Sequence, residues 1–184
     1  ISCAPGDAIV FEWTEAFGDV MNELLTDPTR LKLGHNFAYD QHAFIANGID
    51  PVMPIADTII AEAALCPPFK EAANMAWLSL AVCVARRVRG WAYHKEPGNP
   101  RTRALYRAWL PNVPVILHPL LYCALDAIAT LLLWYKQREA LERTGMLKFF
   151  QTVLCPAAFT LCRMEMRGIP CDDGKRLRVI AESA

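Results

Sequence analysis

Leu31-Lys32-Leu33-Gly34-His35-Asn36-Phe37-Ala38-Tyr39-Asp40 carries two periodicities within ten residues. Leu31 and Leu33 flank Lys32 in the alternation of a strand, which the sequence extends to Asn36. Residues 40–47 then read as a short helix, with Gly48 placed for the left-handed position after its last turn and Ile49 for the apolar clasp. A strand that turns directly into a helix puts an amide and a carboxylate at the corner. Packing on both sides of such a corner can present Asp40 into a cleft. A second role, with Asp40 only capping its helix, fits this segment equally well.

Upstream, residues 1–4 and 8–13 read as two short strands joined by a turn at Pro5-Gly6-Asp7. Thr14 is placed to cap an amphipathic helix through residue 25, with Phe17, Val20, Met21, Leu24 and Leu25 as its apolar positions. Downstream, Asp57-Thr58 can cap a helix through residue 65, which Pro67-Pro68 terminates. Ser79 can cap another to about residue 89, and residues 90–100 read as a loop. Pro119 suits the first turn of a long helix to about residue 143, closed by Gly145. A last helix spans 147–167, before Gly168-Ile169-Pro170. Strands at the front with helices interleaved give an α/β class.

The 184 residues are 54% hydrophobic, enough for a sizeable core in one domain, or in one domain plus part of another. A net charge of zero excludes a wholly basic nucleic-acid arm, yet the charge is uneven. Residues 1–62 carry ten acids and two bases, and residues 86–107 carry seven bases and one acid. That asymmetry fits a site holding cations beside an anionic polymer, and it fits unrelated solvated faces as well. The seven cysteines are odd in number, widely spaced and contain no Cys-x-x-Cys pair. They point to a reduced, intracellular protein with mostly buried thiols, Cys83 and Cys123 among its core residues. Residues 113–135 are apolar over the length of a membrane span, but Pro114, His118, Pro119 and Asp126 interrupt them. A buried soluble helix with a functional acid is the expectation. The chain starts at Ile1 in an apolar stretch without a signal pattern and stops inside a basic helix, so it reads as an excerpt of a longer protein.

In Tyr122-Cys123-Ala124-Leu125-Asp126 the phenol and the carboxylate are four residues apart, on one helix face. Leu120, Leu121, Leu125, Leu131 and Leu132 surround them and would desolvate an unpaired carboxylate. A divalent cation would stabilise the ionised acid; so would an arginine or a helix N-terminus.

Asn36-x-x-Tyr39-Asp40, with Ala43-Phe44-Ile45 and Gly48-Ile49, resembles the second motif of the DEDD 3′→5′ exonucleases. Tyr122-x-x-x-Asp126, continuing to Ala127 and Thr130, resembles the third motif of their tyrosine-bearing subclass. Ala56-Asp57-Thr58-Ile59-Ile60-Ala61 and Leu78-Ser79-Leu80-Ala81 resemble the linking helices of the proofreading domain in family A (DNA polymerase I-like) DNA polymerases. Met164-Glu165-Met166-Arg167-Gly168-Ile169-Pro170-Cys171-Asp172 resembles the passage from that domain into the polymerase thumb.

The resemblance implies a ribonuclease H-like mixed sheet flanked by helices over residues 1–144, its first strand missing. The start of the helical thumb region would follow over 145–184. It implies two-metal hydrolysis of the 3′-terminal phosphodiester with Mg²⁺ or Mn²⁺, for proofreading in DNA replication or repair. Asp40 would help hold the second ion, Asp126 would ligate the first, Tyr122 would orient the attacking water, and Asn36 would contact the DNA. Arg86, Arg87 and Lys95, in a basic stretch with Trp91, Tyr93, Tyr106 and Trp109, are candidates for phosphate and base contacts with a single-stranded primer end. A variable exposed loop is the other reading of that stretch. His35, His42, His94 and His118 read as packing or capping residues. The implied partners are a DNA 3′ end or primer–template and the rest of a polymerase chain, without a membrane, in the cytoplasm of a bacterial or phage-infected cell.

One departure stands out: the family's first motif, Asp-x-Glu, occurs nowhere in the chain. The expectation is that the excerpt begins just after it. Its strand would lie between the first hairpin and the strand at 31–36, so the 184 residues alone should fold poorly and cut DNA negligibly. The alternatives are a free-standing ribonuclease D-like exonuclease and a catalytically inactive exonuclease-like scaffold within a polymerase.

Overall fold

Two three-residue strands, both in the first third of the chain, make up the sheet of the described residues. The structure is a computed structural model and describes residues 1–66, 75–89, 114, 118–168, 170 and 172–182. Strand β1 (Lys32–Gly34) pairs in parallel with β2 (Ile55–Asp57), in the register Lys32 with Ile55, Leu33 with Ala56 and Gly34 with Asp57. Helix α2 (Phe37–Ala46) forms the crossover between them. Around this unit lie α1 (Glu15–Thr26), α3 (Thr58–Leu65), a 3₁₀ turn (Met75–Leu78), α4 (Leu80–Arg87) and the long α5 (His118–Arg143). Then come α6 (Leu147–Phe149), a π-helical stretch (Phe150–Leu154), α7 (Cys155–Arg167) and α8 (Asp173–Glu182).

The class is α/β as expected, but the sheet among the described residues is small and parallel, not mixed. The hairpin expected at residues 1–13 stays outside it. Ala4 bridges Asp7, and Ile1 and Ile9 exchange backbone bonds of 2.8 and 2.9 Å, but no ladder follows. Ile9 is 70% exposed, while Phe11 packs on Met21, Leu25 and Ile49, and a two-stranded ribbon alone is marginal in water. Strand β2 was not read in the sequence. All three of its residues are buried, which removes the alternation that marks a half-buried strand.

The helix ends follow local chemistry. Thr14 Oγ1 accepts from Phe17 N at 3.4 Å at the start of α1. After α2, Gly48 takes φ of 80°, its N–H reaches Ile45 O, and Ile49 N–H reaches Phe44 O, a Schellman closure with Ile49 buried as the clasp. Gly145 (φ 72°) closes α5 in the same way, with Met146 N–H on Leu141 O. The expected single helix at 147–167 is continuous except for its π-helical stretch, just ahead of Pro156. A proline there has no N–H to donate and crowds the carbonyl four residues back, and the wider turn accommodates both.

Helix α5 passes for a membrane span by length and composition alone. It packs against α3, α4 and β1, and its apolar residues enter two core clusters. Trp134 and Leu141 join Ala56, Ala61, Phe150 and Cys155; Ala129 and Leu133 join Leu80, Cys83, Val84 and Val88. Each fully buried side chain such as Leu133 or Leu141 contributes about 1.5–3 kcal/mol relative to exposure. The front of the helix differs, for none of residues 119–127 is fully buried. That corrects one expectation: Cys83 is a core thiol, but Cys123, on that front, is exposed. No disulfide occurs among the described cysteines.

Candidate functional site

The corner between β1 and α2 is built by four adjoining features. Asn36 occupies the left-handed region (φ 63°, ψ 52°), where asparagine is among the few side chains tolerated. Gly34 lies under the Phe37 ring; a Cβ there would fall 2.6 Å from Phe37 Cδ2. Thr58 Oγ1 donates to Gly34 O at 3.0 Å and lies 2.8 Å from His35 Nδ1.

The fourth feature is Asp57, only 6% exposed, at the end of β2. Its Oδ1 accepts from Asn36 N and Ile59 N, both at 2.9 Å, and its Oδ2 accepts from Phe37 N at 2.8 Å. One carboxylate thus caps α2 and α3 together. This is why α2 begins at Phe37, three residues earlier than the sequence suggested. The amides of its first turn are satisfied by a side chain from the neighbouring strand, and the Asn36 side chain makes no cap of its own.

Asp40 sits one turn into α2, half-buried, beside exposed Asn36 and Tyr39. Burial, then the neighbouring Asp57 charge, pushes its carboxyl up to about 6. Burial also raises Asp57, against the pull of its three amide donors and His35. Behind the corner a cavity of about 210 Å³ is lined by Phe37, Gln41, Asp57, Cys155 and Phe159 among others. Gln41 is 1% exposed, and its Nε2 finds no hydrogen-bond partner among the described residues.

Tyr122 and Asp126 lie half-buried on the front of α5. Thr130, the last residue of that motif, turns its hydroxyl back to Asp126 O at 2.8 Å. The rear of the helix is anchored by Gln137, whose Nε2 donates to Thr58 O and to Glu62 Oε2, each at 2.9 Å. Glu62 is fully buried on α3 and receives Arg86 Nη1 at 2.8 Å and Arg87 Nε. Burial alone would raise its carboxyl, but Arg87, Gln137 and Arg86 outweigh that and hold it below the usual range.

Arg86 and Arg87, the candidates for DNA contacts, both pair with Glu62, because a buried carboxylate needs charged partners; the Arg86 side chain stays 40% exposed. Lys95, Trp91, Tyr93, Tyr106, Trp109 and His94 lie outside the described residues. Neither Asp57 nor Glu62 was singled out as part of the site. Asp57 was legible only as the cap of α3, since its other donors are about twenty residues upstream.

A divalent-metal site requires several oxygen donors around one point. Among the described residues, no three carboxylate, imidazole or thiol groups gather in that way. Asp40 and Asp126 are the two acids offered by the motifs, and they do not make a closed metal site by themselves.

No curated protein matches the chain, and no solved structure does. Residues 8–142, well over half of the chain, match the 3′-5′ exonuclease family, so the strand-to-helix corner at Asp40 and the Tyr122–Asp126 face of α5 are those of a chain that belongs to that family.

Proposed function

We propose that the chain is the 3′→5′ proofreading exonuclease part of a family A DNA polymerase, of the tyrosine-bearing subclass, acting on a single-stranded DNA 3′ end. The observation that carries the reading is the pair of motifs in their expected settings. Asp40 stands at a pinned strand-to-helix corner, and Tyr122 and Asp126 share a face of α5 four residues apart. Residues 1–144 would form the exonuclease domain and 145–184 the start of the polymerase domain, with the remaining polymerase chain as partner.

Hydrolysis of a phosphodiester builds negative charge on the attacking and leaving oxygens. In this family two Mg²⁺ or Mn²⁺ ions supply that stabilisation, and Asp40 and Asp126 are the hard oxygen donors that the chain offers them. Because these two acids fall short of a full ligand set, the chain's own steps are confined to positioning. Tyr122 hydrogen-bonds and orients the attacking water, and Asn36, exposed at the corner, contacts the terminal nucleotide. Arg86 and Arg87, paired with Glu62, and Lys95 are the candidates for phosphate contacts.

A second reading, an inactive exonuclease-like scaffold, draws on the lack of a three-ligand cluster among the described residues. One experiment separates the two. The intact gene product is incubated with a 5′-labelled single strand and Mn²⁺ or Mg²⁺. Shortening from the 3′ end that disappears in Asp40→Asn and Asp126→Asn supports the exonuclease. An intact strand, or shortening indifferent to both substitutions, overturns it.

A further inference from the structure

We propose that Asp57 is a positioning residue for this reaction, its carboxylate locking the Asn36 corner and so fixing where helix α2 delivers Asp40. The proposal rests on the exonuclease reading above.

The geometry divides the work of the carboxylate between its two oxygens. Oδ1 is shared by Ile59 N, the ordinary cap of α3, and Asn36 N across the corner. Oδ2 is given wholly to Phe37 N, the first residue of α2. The parallel register brings this about, since Gly34 is paired with Asp57 at the ends of the two strands.

Asn36 holds a left-handed backbone, a conformation that costs an L-residue free energy, asparagine less than most, and that the surrounding hydrogen bonds help to hold. The corner has no cap of its own to enforce it, because the Asn36 side chain makes no capping bond. Without Oδ2 the Phe37 amide is a buried orphan donor, and the corner can relax so that α2 starts later. Asp40 is three residues beyond Phe37, so any such change moves its carboxylate directly. A misplacement of about 1 Å at a reacting group lowers a rate about 10²-fold.

Two substitutions grade the effect. Asp57→Asn keeps an acceptor at one oxygen but turns the other into an amide donor facing Phe37 N–H. Asp57→Ser retains a good cap for α3 but is too short to reach across to Asn36 and Phe37, so it separates helix capping from the corner lock. In the intact gene product, kcat on single-stranded DNA should fall in the order wild type, Asp57→Asn, Asp57→Ser. The Ser variant should lose on the order of 10–100-fold, as supporting partners of reactive groups do. KM for DNA should stay unchanged, and amide exchange at Phe37 should accelerate while Ile59 remains protected in the Ser variant.

A purely structural cap would leave kcat of the folded Ser variant within about twofold of wild type, and that result overturns the proposal. Unaltered Phe37 exchange in the Ser variant overturns it as well, by showing that the lock does not exist. A wild-type protein that leaves DNA intact fails the exonuclease reading and takes this role with it, and the exchange data then report on the lock alone.

Discussion

The two acid-bearing segments are held in opposite ways. Asp40 stands on a corner fixed at close range, by hydrogen bonds to Asp57 and Thr58 within the β1–β2–α2–α3 unit. Asp126 stands on the front of α5, where no residue from 119 to 127 is fully buried. Its position is set from the rear by Leu133, Trp134 and Leu141 in the core and by Gln137 on Thr58 and Glu62. Gln137 is about three turns away, roughly 16 Å along the helix axis. A corner aims an acid through hydrogen bonds close to it and at the expense of its solvation, whereas a long helix aims one as a lever clamped far from it, by core packing and by Gln137. The raised Asp40 carboxyl is the mark of the first arrangement.

The lever should be the more sensitive to its clamp. Glu62→Ala leaves the Arg87 guanidinium and Gln137 without their shared buried partner and should destabilise the fold by roughly 3–5 kcal/mol in chemical denaturation. Amide exchange should then accelerate along α5 while Phe37 stays protected. Equal loosening at both places would erase the distinction between corner and lever.

At the level of activity the two segments should converge. Asp40→Asn and Asp126→Asn should each lower 3′-end degradation by about 10²–10³-fold, the loss typical of removing one charge-stabilising group. A variant with near wild-type rate would remove its segment from the site.

Stability should carry a further mark of the corner. Burial and the Asp57 charge raise the Asp40 carboxyl from 3.8 to about 6, so the folded state favours its protonated form. That contribution is fully present below about pH 4 and is lost as the pH rises through about 6. In metal-free buffer Asp40→Asn should therefore gain roughly 1–3 kcal/mol over wild type at pH 7.5, and the gain should shrink towards zero near pH 4. Thermal or urea unfolding at the two pH values would show it, and a gain independent of pH would contradict the assignment of the cause.

The smallest effect belongs to the backbone of the corner. Asn36→Ala should cost about 1 kcal/mol, since alanine gains nothing in the left-handed region, while Asn36→Gly should be close to neutral in stability. Urea midpoints of the two variants measure the difference.

Much of this was legible because it is local. The Gly48-Ile49 and Gly145-Met146 closures, the Thr14 cap and the length of α5 depend on residues within a few positions of one another, and the structure places them as the sequence suggested. The Tyr122–Asp126 spacing is equally local, since helical geometry alone puts both on one face. Strand β2 was hidden because full burial erases its alternation, and the hairpin at residues 1–13 was overstated because a turn between two short runs does not supply the further strand that would hold them.

The sequence by itself therefore determined the helix boundaries that rest on caps and glycines, the two acid motifs and the α/β class. Local sterics and hydrogen bonds decide these within one or two turns of chain. Only the tertiary structure decided the fate of the charges. Asp57 serves amides about twenty residues upstream, and Glu62 draws Arg86, Arg87 and Gln137 from two other helices. A carboxylate removed from water must find its partners wherever the fold brings them, and sequence spacing does not record that distance.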